Sequence, residues 1–296
     1  MKTFVIDVGG NFIKSASVQE GEIIQQFESI KTPQTLAGFK QGLDDVFKHF
    51  MDDCQAIAIS HAGIVDDSSG KVVFNGSLPF LKDFSYRDYL VRFNRPVNLI
   101  NDGQAAALAE ARKGGLIGVN KGASLTIGTG VALGIIVNGQ IYQGAHGVAG
   151  EVSFILPNYQ AEPLVRQAGA FTFIRPANEL LGNTDLEDAR PVFKAIKEGN
   201  TRLDQMLTDY LKVIVNLIYN LHVILDIERL TIGGGISNEP MVLDRIRDLY
   251  QEVYTHHPSF VFKEEIFQPV EIRSCQFKSE ANLIGAYYHQ IDQLTC

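Results

Sequence analysis

DVGGNFIKSASV (Asp7–Val18) and TIGTGVALGIIV (Thr126–Val137) are laid out alike. In each, an apolar run ends in a glycine turn and a second apolar run leads back from it. Matched without gaps, Gly9 falls on Gly128, Asn11 on Gly130 and Ser15 on Gly134. The spacing predicts strand, glycine turn, strand, tight turn, strand in both places. In the second copy Asn138-Gly139 supplies a strong two-residue hairpin signal. Self-similarity of this kind marks a duplicated unit. The expected class is α/β, with two lobes of mixed β-sheet facing each other across a cleft.

Outward from these stretches, Thr3–Val8, Phe12–Val18 and Ile23–Phe27 read as a meander. Leu36–Met51 has helical spacing. Cys54–Ser60 is a continuous apolar run, which suits a strand buried on both faces. Val97–Ile100 is a short strand that runs into Asn101-Asp102 and an alanine-rich helix, Gln104–Lys113. The second half repeats the pattern with strands at Ala123–Ile127, Ala132–Val137 and Gln140–Gln143. Leu203–Leu225 is a long helix, apolar on one face. Arg229–Ile232 is a strand ending at Gly233-Gly234-Gly235, Met241–Val253 a helix, and Ala281–Gln290 a closing helix that should pack back on the first unit. Glycines cluster over Gly114–Lys121, which puts the lobe boundary there. The division expected is 1–115 with 281–296 as the smaller lobe, and 116–280 as the larger.

A net charge of -8 disfavours a nucleic-acid surface. The three cysteines, Cys54, Cys275 and Cys296, are far apart and suggest neither a disulfide framework nor a cysteine zinc site. No apolar run approaches the ~18 residues of a membrane span. The opening MKTFVIDVGG reads as a strand from the start and leaves no room for a signal peptide, so a cytoplasmic location is expected. Of the histidines, His61 reads as a loop residue near the cleft, His222 as a core residue and His256-His257 as surface loop.

Phosphoryl transfer asks a protein for cradled phosphates, a metal ion, a base for the attacking hydroxyl and exclusion of water. Each has a candidate. Gly9-Gly10 and Gly128-Thr129-Gly130 are phosphate loops or plain hairpin turns. Their lack of Cβ atoms lets backbone N–H groups approach phosphate oxygens. Asp7 at the end of the first strand suits Mg²⁺ held through water, and Lys14 either nears the phosphates or is a solvated strand residue. Asp102 is a helix N-cap or the general base. Asn101 carries both donor and acceptor and suits a pair of sugar hydroxyls. Glu151 follows the glycine-rich run GAHGVAG, where a carboxylate has little core purpose. Gly233-Gly234-Gly235 fits either close approach to a nucleotide or tight strand-to-helix packing.

In their order, DVGGNFIK (Asp7–Lys14), FNG (Phe74–Gly76), INDGQAA (Ile100–Ala106), TIGTGVALG (Thr126–Gly134), AGEVSF (Ala149–Phe154) and LDIERLTIGGGIS (Leu225–Ser237) resemble the ROK family of repressors, open reading frames and kinases. The resemblance implies an actin/hexokinase-like fold, ATP with Mg²⁺ and phosphorylation of a sugar hydroxyl. It makes Asp102 the base and Asn75, Gly76, Asn101 and Glu151 sugar contacts. Gly9, Gly10, Asn11, Lys14, Gly128, Thr129, Gly130 and the triple glycine at 233–235 become the ATP and phosphate residues. It gives the smaller lobe sugar and phosphate, the larger lobe nucleotide and sugar, and raises the expectation of a homodimer. Asn11 stands where the family commonly has Thr. Phe154 stands where many members have a His that binds zinc and sugar, and Pro157–Leu180 holds no cysteine. Four ligands are needed for a structural zinc, so none is expected. In this the chain is similar to the family's β-glucoside kinases, which implies a glucoside or hexose taken at its 6-hydroxyl. The alternatives are a sugar-binding ROK regulator, against which no DNA-reading segment is evident, and a sugar sensor without catalysis.

Overall fold

Alternation builds the first sheet. β1 (Lys2–Val8) sends Phe4, Ile6 and Val8 to one face and Val5 to the other, and all are buried. In the computed structural model, which describes residues 1–50, 53–158, 162–256 and 267–295, β1 sits in mid-sheet. Met51, the expected end of the first helix, His257 and Cys296 lie outside the described residues. On one side of β1 run antiparallel β2 (Phe12–Gln19) and β3 (Glu22–Gln26), with the short β4 (Ile30–Lys31) also on β2. β5 (Ala56–His61) lies parallel on the other side. A separate hairpin, β6 (Ile64–Asp66) and β7 (Lys71–Phe74), follows, and β8 (Val97–Asn101) completes the sheet beside β5. The helices α1 (Leu36–Phe47) and α2 (Tyr86–Leu90) cover the face that carries Phe4.

The second sheet repeats the first. Its strands are β9 (Lys121–Ile127), β10 (Val131–Val137), β11 (Gln140–Ile141), β12 (Arg229–Gly233) and β13 (Glu271–Ser274). Their order, β11-β10-β9-β12-β13, matches β3-β2-β1-β5-β8, with the same antiparallel and parallel pairings. The gapless match needs one correction. Val8 pairs with Ile13, but Ile127 pairs with Val131, so the second turn is one residue shorter. The equivalence holds from β1 through Gly9 and then slips by one. Ser15, opposite Ile6, corresponds to Leu133, opposite Leu125, rather than to Gly134.

Two helices join the halves. α3 (Asp102–Lys113) lies against β10, where a Cβ on Gly134 would sit 2.3 Å from Ala107 Cβ. Over the second sheet lie α4 (Val165–Ala168), α5 (Phe171–Leu181), α6 (Ala189–Lys197), the long α7 (Thr201–Leu225) and α8 (Pro240–His256), enclosing the largest apolar core. The last helix, α9 (Ala281–Thr295), packs back on the first sheet and crosses α3 at Gly285. His222 is a core residue of α7, its Nδ1 2.7 Å from the Tyr250 hydroxyl. His61 departs from its reading as a loop residue. It ends β5 and is fully buried, and burial lowers its pKa to about 4. Such a ring stays neutral.

Candidate active site

The junction of β8 and α3 divides labour between two adjacent residues. Asn101 is the N-cap: its side-chain oxygen accepts from Gln104 N–H at 3.0 Å. Asp102 therefore occupies the first helical position, with its carboxylate free of the capping duty and accepting from Gly103 N–H at 2.8 Å. The Asn101 amide donates to the Gly63 carbonyl at 2.9 Å and to Glu151 Oε1 at 3.3 Å. Both donors of Asn101 are thus engaged within the protein.

Strand β10 gathers the pieces from either side. Gly103 lies against it, since a Cβ there would meet Leu133 N at 3.1 Å. Gly150 lies against it too: at φ +92° it runs so close that a Cβ would be 2.2 Å from Leu133 O. Asp102 and Glu151 are in this way brought to one place. Asp7, at the end of β1, completes a trio of carboxylates. Burial pushes Asp102 up to about 7, with repulsion from Asp7 and then from Glu151 adding to it. Burial likewise raises Asp7 and Glu151. Asp102 is half-buried, and a cation bound beside it would lower its pKa.

Asp7 is oriented by groups that its local sequence does not announce. Its Oδ1 accepts from Ser60 Oγ at 2.9 Å and from Asn282 Nδ2 at 3.1 Å. Lys14 Nζ is 3.9 Å from Asp7 Oδ2 and donates to the Ser279 carbonyl at 3.2 Å. Asn75 is buried and organises its own loop. It donates to the Ala62 carbonyl at 2.7 Å and accepts from Ser77 and Leu78 N–H at 2.9 and 2.8 Å, which leaves Gly76 exposed. Gly10 approaches the same loop, where an added Cβ would be 3.0 Å from Ser77 Cβ. Gly9 N–H bonds the Phe12 carbonyl across the turn, and Asn11 is exposed.

The other glycines meet at the end of β9. Thr129 is exposed at the tip of the Gly128–Gly130 turn. Ala170, the N-cap of α5, donates its N–H to the Gly128 carbonyl at 2.8 Å, and a Cβ on Gly169 would be 2.3 Å from Thr129 O. Gly234, at φ +96°, passes Ile127 so closely that a Cβ would lie 2.1 Å from its carbonyl oxygen. Gly233 packs on Cys275, whereas Gly235 faces open space. Beside Gly235 is a pocket of about 520 Å³ lined by Arg190, Phe193, Lys194 and Asn238 among others. Ser60, Asn282 and Gly169 carried no role in the sequence, and Phe74 stood there only within the FNG motif. Phe74 meets Phe154 edge-to-face, ring centroids 6.1 Å apart, and both rings are about half exposed.

The ROK family model matches residues 3–170 and 174–292. An N-acetylmannosamine kinase of Haemophilus influenzae is 27% identical over 303 residues, covering 99% of this chain and 97% of its own. A β-glucoside kinase of Listeria monocytogenes is 26% identical over 309 residues, covering 99% and 98%. A ROK family protein of Streptococcus pneumoniae, solved in complex with sucrose, superposes with a TM-score of 0.86 at 25% identity, covering 100% of this chain and 99% of that one. The paired sheets are thus the actin/hexokinase-like fold of these structures, and the chain belongs to the ROK family.

Proposed function

We propose that this protein is an ATP-dependent sugar kinase that transfers the γ-phosphoryl group of ATP to the 6-hydroxyl of a hexose or glucoside. Asp102 carries the reading. It is a carboxylate relieved of capping, set beside two others, with a pKa raised to about 7. A base with that value takes up a hydroxyl proton efficiently near neutral pH. The hydroxyl oxygen bonds to the γ-phosphorus as the bond from that phosphorus to the β–γ bridging oxygen breaks. The bridging oxygen leaves with its electron pair on ADP, and the hydroxyl proton passes to Asp102. The names of the two kinase relatives support the same chemistry.

The other residues take the roles that their positions suit. Glu151 and the loop at Asn75-Gly76 hold the sugar, with Asn101 fixing Glu151 in place. The turns at Gly9-Gly10-Asn11 and Gly128-Thr129-Gly130, with Lys14, face the phosphates. Gly233, Gly234 and the pocket at Gly235 take the nucleoside. Asp7 fits Mg²⁺: a buried carboxylate, raised by burial, gains from a cation nearby. Mg²⁺ arriving with ATP neutralises phosphate charge. The smaller lobe is 1–115 with 281–296, and the larger is 116–280. No zinc is required.

The aromatic pair suggests the acceptor. Phe74 and Phe154 flank the sugar loops and offer an apolar face but no hydrogen bond. A second sugar ring packs on such a face, whereas the anomeric hydroxyl of a free monosaccharide finds no partner there. The test is ADP release with glucose, N-acetylmannosamine, cellobiose and gentiobiose in one assay. Higher kcat/KM for a disaccharide is expected. A clear win by a monosaccharide overturns the glucoside reading, and no sugar-dependent ADP release with any of them overturns the kinase reading.

A further inference from the structure

Glu110 is a charged residue of α3 with no exposed surface, and the reaction above makes no use of it. Its carboxylate is occupied on both sides by backbone. Oε2 accepts from Gly115 N–H at 2.7 Å. Oε1 accepts from Gln276 N–H at 2.7 Å and from Phe277 N–H at 3.3 Å. Its own backbone carbonyl accepts from Gly114 and Leu116, each at 3.0 Å. Gly115 lies where the chain leaves α3 for β9, and Gln276-Phe277 lie where it returns from β13 to α9. Among the described residues, these are the two places where the backbone passes between the halves. One carboxylate therefore holds both crossings side by side.

The crossings are packed closely around it. A Cβ on Gly114 would sit 2.5 Å from Glu110 Oε2, and one on Gly115 would sit 2.7 Å from Thr231 Cγ2. Burying a carboxylate is unfavourable unless its oxygens are well bonded, and a neutral side chain would fill this space with less penalty. An apolar side chain here would leave the Gly115, Gln276 and Phe277 N–H groups without an acceptor, so the carboxyl group ties the two crossings together rather than merely filling space. We propose that Glu110 is the hinge pin of the cleft, a positioning residue that keeps both crossings on one axis as the halves close on substrate. The proposal rests on the sugar-kinase reading. Hinges absorb rotation at a few residues, and two crossings turn about the line that joins them, so a group that fixes their spacing fixes that axis. Asp102 begins the helix that carries Glu110, and Glu151 lies beside that helix start, its Oε1 3.3 Å from the Asn101 amide, so the set of the helix fixes both against the sugar.

Glu110→Gln keeps the shape but sets an NH₂ donor against a backbone N–H at one crossing. We expect kcat to fall about tenfold or more, the scale of a small misplacement at the reacting centre. The sugar KM should stay within about twofold, and sugar-induced compaction in small-angle scattering should shrink. Glu110→Asp keeps two acceptor oxygens and should recover part of kcat. Normal kcat and normal compaction in Glu110→Gln, with only a lower melting temperature, would make Glu110 merely structural and overturn the proposal. Should that variant not fold, hydrogen exchange on the unaltered protein decides. The Gly115 and Gln276 amides should change protection together when sugar binds, and a change at one alone overturns the hinge pin. Failure of the kinase reading shows separately, as absence of sugar-dependent ADP release from the unaltered protein.

Discussion

Asp102 sits where its own charge is unwelcome. An aspartate in the unfolded chain titrates near 3.8, and in the fold it is pushed up to about 7. The folded state therefore holds the proton more tightly. The stability this contributes is full below about pH 3.8 and is lost as pH rises through 7. Asp102→Asn should accordingly raise stability at pH 8 by about 2 kcal/mol, a figure discounted for cleft water, and change little near pH 4. Thermal melts at the two pH values check this, and an equal effect at both contradicts it. With Asp102 as the proposed base, kcat/KM should fall as pH drops below about 7.

A second prediction concerns Phe74 and Phe154. Alanine at either should lower kcat/KM for cellobiose about tenfold, the loss of roughly one ring contact, and leave glucose nearly unchanged. Equal losses on both sugars would remove the pair from substrate selection. Asp102, Glu151 and the glycines could be singled out because each stands in a short local pattern. Ser60 and Asn282 could not, and Phe74 entered only as part of the FNG motif. Asn282 reaches Asp7 only through the packing of a helix at the far end of the chain, and nothing near position 282 signals it.

Helix α3 shows how an element sets up chemistry. Asn101 closes its first turn, Asp102 is left free, and the alanines behind allow close approach on two sides. On one of those sides is α9, where a Cβ on Gly285 would fall 1.8 Å from the Ala105 carbonyl oxygen. Helix propensity alone makes Gly→Ala favourable by about 1 kcal/mol. Here the clash wins, and Gly285→Ala should destabilise the protein by about 2 kcal/mol or more in urea unfolding. A stabilised variant would contradict this crossing. Strands with strong apolar runs, such as β1, β5 and β9, were legible in the sequence. β13 was not: EIRS buries only Ile272 and finds its place by pairing with β12. The β6–β7 hairpin was missed for a similar reason, since its shifted register breaks any alternation.

At the scale of the whole molecule, duplication is the feature that sequence showed best. Two glycine hairpins announced two sheets of one topology, although the one-residue shorter second turn hid the true register. The pairing of the halves was less visible, because it depends on α3, α9 and the crossings at Glu110, which no periodicity encodes. Metal dependence is also a property of the whole. ADP release should require Mg²⁺, and protein purified without added metal should carry no zinc. One tightly held zinc per chain in elemental analysis would overturn the reading of Phe154.

The central claim is transfer of phosphate from ATP to a sugar hydroxyl with Asp102 as base. Phosphorus NMR of ATP, Mg²⁺ and a disaccharide or hexose with the protein tests it most directly. A sugar 6-phosphate resonance should grow in step with ADP, at a rate at least ~10²-fold lower for folded Asp102→Asn. ATP that stays intact in the presence of every sugar, or an Asp102→Asn variant that turns over at the normal rate, would contradict it.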